Sequence, residues 1–137
     1  MKTNTYLTFD GNCEAAVKFY EQALGAKPGP FFRYGESPMA DKVPADQANK
    51  VMHTRFELAD QILMASDAMC EGTGTKSGFS LSLNVEAPEE AERLFKALAD
   101  GGNVTMPMAE TFWAHRFGMV TDKFGTPWMV NCEMPMA

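Results

Sequence analysis

His53, Glu57 and His115 are the side chains in this 137-residue sequence best suited to proton transfer or metal binding, and these two histidines are the only ones in it. His53 and Glu57 lie two steps apart in VMHTRFEL, which places both on one face of a strand. An imidazole titrates near ~6.5 when unperturbed, so His53 suits a general acid or base. If strands of two halves met across a dimer cleft, His53, Glu57 and His115 would converge on one divalent ion. The plainer alternative is a hydrogen-bonded strand histidine beside an acidic neighbour. Cys13 stands where a helix should begin, and the helix dipole there favours a thiolate; without a paired histidine, a small packing residue is the simpler reading.

Aromatic side chains supply candidate pocket walls. Phe31, Phe32, Tyr34, Phe112, Trp113 and Trp128 fall in strands or loops. Trp113 lies beside His115 and Arg116 and is the better pocket candidate, whereas Trp128 alternates towards a core. Arg116 and Arg33 are the cations available to an anionic ligand, or to surface ion pairs.

Composition narrows the classes of function. Hydrophobic content of 45% and charged content of 22% suit one globular domain with a real core. A net charge of −6 argues against a general nucleic-acid binder, which needs a basic face. No run of about 18 apolar residues exists to span a membrane. MKTNTYLTF lacks the apolar core of a signal peptide, and Cys13, Cys70 and Cys132 form no CxxC. Both features lead us to expect a cytoplasmic protein. No P-loop, G-x-G-x-x-G or G-x-S-x-G is present.

Two amphipathic helices organise the elements that must hold these residues. In GNCEAAVKFYEQALGA (11–26), Ala16, Phe19, Tyr20, Ala23 and Leu24 form one apolar stripe, with Asn12 as N-cap and Gly25 as terminator. In the second, Pro88 opens the helix, Glu89 and Glu90 fill its first turn, Ala91, Leu94, Phe95 and Leu98 make the stripe, and Gly101 lies past the end. Alternation predicts strands at Thr3–Phe9, Val51–Leu58, Ile62–Ser66, Phe79–Val85, Arg116–Thr121 and Trp128–Cys132. A short strand is expected at FFRYG (31–35) and another at Asn103–Met106, followed by a Pro-Met turn. KPGP (27–30) reads as a loop, 36–50 as a mobile loop with at most one helical turn, and 70–78 as a flexible linker.

The order then repeats. Leu7/Phe9 and Leu81/Leu83 are offset by 74 residues, and His53–Asp60 and His115–Asp122 are both seven apart. Each half reads strand, helix, strand, strand, strand. An internal duplication of a βαβββ unit follows, with module one at 1–69, a linker at 70–78 and module two at 79–137. The fold class is α+β: two curled mixed sheets around a cleft, with helices on the convex face.

Three stretches carry a resemblance: YLTFDGNCEAAVKFYEQALGA, VMHTRFELADQILMASD and FWAHRFGMVTDKFGTPWMVN, with the combination FY…LG, WxxxFG and DxFGxPW. The chain resembles the PhnB-like branch of the vicinal-oxygen-chelate superfamily, which includes glyoxalase I, bleomycin- and fosfomycin-resistance proteins and extradiol dioxygenases. The resemblance implies paired βαβββ modules, a homodimer, and small-ligand sites in concave sheets. Metal-binding members place His, Glu or Gln on the first strand of each module and on the last strand. Those positions fall here on Tyr6 (or Thr5, in a register one residue earlier), Ser80 and Met129, none a ligand for Zn, Ni, Mn or Fe. With Thr8, Ser82, Trp113 and Arg116 they form the expected ligand pocket, and no cofactor is expected. The alternative is a divalent metal at His53, Glu57 and His115, serving a lyase, isomerase or dioxygenase. Some proteins of this branch carry a ubiquinone-pathway methyltransferase label, but no Gly-rich loop follows a strand here to cradle such a cofactor.

Overall fold

The structure is a computed structural model and describes residues 1–69 and 75–133. It divides into two compact units, Met1–Gly74 and Thr75–Ala137.

The first unit runs β1 (Tyr6–Phe9), α1 (Cys13–Leu24), β2 (Lys27–Arg33), β3 (Val51–Leu58) and β4 (Gln61–Asp67). Its sheet has the order β1-β4-β3-β2, with β1 parallel to β4 and the other neighbours antiparallel. The apolar stripe of α1 packs against β2, β3 and β4. Leu7, Phe9, Ala16, Val17, Tyr20, Phe56 and Ala65 bury the interface almost completely. Gly25 ends α1 in the left-handed conformation (φ 75°), where a Cβ would be strained. Asn12 occupies the N-cap position but makes no side-chain cap. Asp67 does that work instead, Oδ1 accepting the N–H groups of Gly11 and Cys13, each at 2.9 Å.

The second unit runs β5 (Leu81–Asn84), α2 (Pro88–Ala99), β6 (Asn103–Ala109), β7 (Ala114–Thr121) and β8 (Pro127–Glu133). Its order, β5-β8-β7-β6, repeats the first with the same mixture of directions. The protein is therefore α+β, built of two βαβββ modules. Asp122 organises the turn before β8: Oδ1 accepts from the N–H groups of Phe124 and Thr126, and Oδ2 from the indole N–H of Trp128. Asp60, its counterpart by spacing, is an exposed turn residue.

Several sequence expectations need correction. KPGP is strand rather than loop, because β2 is an edge strand where Pro28 and Pro30 need no outward donor. Pro107 likewise does not end its strand: β6 runs on to Ala109 as the other sheet's edge, with a shift in register between Met106 and Ala109. Segment 36–50 holds two 3₁₀ turns, at Ala40–Lys42 and Ala45–Gln47, and a third begins just ahead of it at Tyr34–Glu36. The first strand of each module is shorter than alternation suggested, Tyr6–Phe9 and Leu81–Asn84. Cys70 and residues 71–74 of the linker lie outside the described residues.

Candidate functional site

Each sheet has one face covered by its helix and one left open, and register fixes which residues share the open one. In the first unit Tyr6 pairs with Met64, and Met64 with Arg55; Thr8 pairs with Ser66, Phe32 with His53, and Lys27 with Glu57. Rows such as Leu7–Ala65–Thr54 lie beneath the helix and are buried. The open face therefore gathers Tyr6, Phe32 and His53, with the Tyr6 and His53 rings 6.1 Å apart between centroids. Tyr6 is 49% exposed and Phe32 54%. Glu57 shares this face at its solvent-facing end, beside Lys27. An aromatic floor with one titratable imidazole suits a small organic ligand.

In the second unit Ser82 pairs with Met129, Met129 with Met119, and Met119 with Met106. The next row is Asn84, Asn131 and Phe117, in which Asn131 Nδ2 donates to Asn84 Oδ1 at 3.1 Å. Trp113 stacks edge-on against Phe117 at 5.4 Å, and Phe112 stands 92% exposed beside it. Thr111 Oγ1 fixes this hairpin tip by accepting the N–H groups of Trp113 and Ala114.

Most of the expected site residues fall on the open faces, divided between the units. His53, Glu57, Tyr6 and Thr8 belong to the first; Ser82, Met129 and Trp113 belong to the second, as does the half-buried His115. Ser80 precedes β5 rather than lying within it. Arg116 is elsewhere. Its Nε donates to Glu92 of α2 at 3.0 Å, so it lies on the helix side with Gly118 and Val120. Arg33 is tied to Glu14 and to the carbonyl of Asn49. Within either unit, no three His, Cys, Asp or Glu side chains among the described residues are grouped to hold a metal.

Cys13 is buried, and desolvation, with the nearby Asp67 and Glu14 carboxylates, pushes its thiol up to about 12. Burial outweighs the helix dipole, and the thiolate reading fails on that ground. Met129 is among the expected pocket residues, but the row it shares with Met119 and Met106 was missed in the sequence, because alternation along one strand gives the face and not the register between strands.

The same architecture is found in a glyoxylase/bleomycin resistance protein/dioxygenase domain from Frankia sp. EAN1pec. The TM-score is 0.72 at 15% identity, over 100% of this chain and 94% of that one, a likeness of fold alone. The two βαβββ modules thus have the fold of that domain. Protein PA1353 from Pseudomonas aeruginosa is similar over 98% of this chain and 99% of its own, at 46% identity and TM-score 0.87. Protein YjdN of Escherichia coli K12 is 40% identical over 96% of this chain and 95% of its own length. The PhnB protein from Bacillus cereus is 28% identical with TM-score 0.83, over 96% of this chain and 99% of that one. The chain belongs to the PhnB-like family described as 3-demethylubiquinone-9 3-methyltransferase, which matches residues 1–131.

Proposed function

We propose that the protein binds a small organic ligand on the open sheet faces, without a resident hard divalent metal. The observation that carries this reading is the cluster of the exposed Tyr6 and Phe32 with the half-buried His53, on one face of a sheet whose opposite face is filled. Phenol and phenyl rings supply apolar area, and the imidazole supplies one orienting hydrogen bond. The donor set supports the metal-free part: Tyr6, Ser80 and Met129 do not fit Zn, Ni, Mn or Fe at neutral pH. We derive no chemical step through such an ion.

Methyl transfer, which the family description names, finds little support in the strand-to-helix connections. Asp10-Gly11-Asn12 follows β1, and the N–H groups of Gly11 and Cys13 are already taken by Asp67. Val85-Glu86-Ala87 follows β5 and holds no glycine. We infer a cytoplasmic homodimer as the working form; among the described residues no helix is long and apolar enough to cross a membrane. A second reading, a metal-dependent lyase, isomerase or dioxygenase at His53, Glu57 and His115, draws on the shared face of His53 and Glu57.

Two measurements test this. Elemental mass spectrometry after loading with Zn, Ni, Mn and Fe should find no retained metal; one equivalent per chain, lost in His53→Ala, would overturn the metal-free reading. A thermal-shift screen of small aromatic compounds should find stabilising ligands. Phe32→Ala and His53→Ala should each weaken them about tenfold, or ~1.4 kcal/mol. Ligands that bind both variants as tightly as wild type would remove this face from the site.

A further inference from the structure

The open face of the second unit carries one row with a chemistry of its own. Met106, Met119 and Met129 stand directly opposite one another on β6, β7 and β8, and Ser82 on β5 completes the row. On the helix side, the neighbouring row is Val104, Val120, Trp128 and Leu81, of which Val120 and Trp128 are buried and Val104, on the edge strand, is 42% exposed. The methionines are not core. Met106 is 45% exposed, and Met119 and Met129 are half-buried.

A thioether is neutral at every pH, binds hard ions such as Mg and Ca poorly, and is a soft donor that selects Cu(I). Directly opposed residues on neighbouring strands have Cβ atoms about 5 Å apart. Methionine has three flexible torsions, so side chains from three adjacent strands can close on one ion above the central residue. We propose that Met106, Met119 and Met129 form a binding site for a soft monovalent cation, Cu(I), with Ag(I) as its redox-silent equivalent. All three donors belong to the second unit, and the site does not draw on Tyr6, Phe32 or His53.

Thiols compete for such ions, but Cys13 and Cys132 are buried. Cys70→Ser removes the third for the test. The experiment is a titration of full-length Cys70→Ser protein, labelled at the methionine methyl groups, with Ag(I) from zero to two equivalents, followed by NMR. The methyl signals of Met106, Met119 and Met129 should move together and saturate at one equivalent, leaving the other methionines in place. The affinity should be unchanged between pH 5.5 and 8, since no donor loses a proton. Met119→Leu should abolish the joint shift and weaken binding at least tenfold; Met106→Leu, on the exposed edge strand, gives the same readout should Met119→Leu fold poorly. Competition with a Cu(I) chelator should rank the variants in the same order. Movement of none or only one of the three signals overturns the proposal, as does undiminished affinity in the leucine variants.

Discussion

Asp67, the last residue of β4, accepts a 2.9 Å hydrogen bond from the backbone N–H of Cys13, the first residue of α1, across 54 positions of sequence. The same carboxylate holds Gly11 through Oδ1 and the N–H of Val51 at the start of β3 through Oδ2. One buried side chain thus fixes the N-terminus of the helix and the entry to the central strand. Asp67→Ala leaves these three N–H groups without an acceptor and should cost about 3 kcal/mol or more in urea unfolding. Asp67→Asn should cost less, since its oxygen still serves Gly11 and Cys13 while its amide nitrogen faces Val51. A stable, fully cooperative Asp67→Ala protein would show the cap to be dispensable.

The buried Cys13 thiol has a direct pH consequence. Its pKa is raised from 9.0 to about 12 by burial and by the Asp67 and Glu14 carboxylates. Above pH 9 the unfolded chain loses the thiol proton and the folded chain keeps it, so stability falls as pH rises towards 12. The loss approaches about 1.4 kcal/mol per pH unit. Other groups titrate there too, so the difference between wild type and Cys13→Ala isolates this one. That difference should shrink between pH 9 and pH 11, and the thiol should resist alkylation at pH 8 until the protein unfolds. Rapid native-state labelling at Cys13 would contradict it.

Glu14 works at the acid end. Hydrogen bonds from Lys18 and Arg33 hold its carboxyl below the ordinary range. Arg33 also donates to the carbonyl of Asn49, so Glu14 helps hold the end of the connection between β2 and β3. A depressed carboxyl contributes above its unfolded pKa and loses that contribution as pH falls. Both partners are partly exposed, so Glu14→Gln should cost only about 0.5 kcal/mol at pH 7 and nothing near pH 2. Urea unfolding at the two pH values checks it, and an equal cost at both would assign the effect to packing.

Sequence alone revealed what local physics decides. The stripe of α1, Gly25 after it and Pro88 at the head of α2 each follow from helix geometry, and the alternation of β3 marked Val51–Leu58 to the residue. Proline hid the edge strands, because Pro28, Pro30 and Pro107 argue against a central strand and are silent about an edge. The Asp67 cap was invisible, since nothing local joins residue 67 to residue 13. Arg116 was legible in principle. It is in step with Gly118 and Val120, whose burial beneath α2 fixes the side on which it falls. The methionine row needs the register of three strand pairs, including a shift in β6 between Val104 and Met106, and no periodicity in one strand supplies that.

Gly118 gives the sharpest packing test. It lies on β7 opposite Val130, beneath α2, where a Cβ would stand 2.6 Å from Met108 Sδ and 2.8 Å from Phe95 Cε2. Met108 can swing its thioether aside; the Phe95 ring is a stiffer neighbour, anchored in the stripe of α2. Gly118→Ala should therefore overpack this contact and cost about 1–3 kcal/mol, despite alanine's better fit to a strand than glycine. Combining it with Phe95→Leu should recover part of the loss, because the smaller side chain yields the space the new methyl needs. Thermal unfolding of the single and double variants reads this coupling directly. Purely additive effects would mean that the helix α2 backbone, and not the Phe95 ring, sets the distance of closest approach to β7.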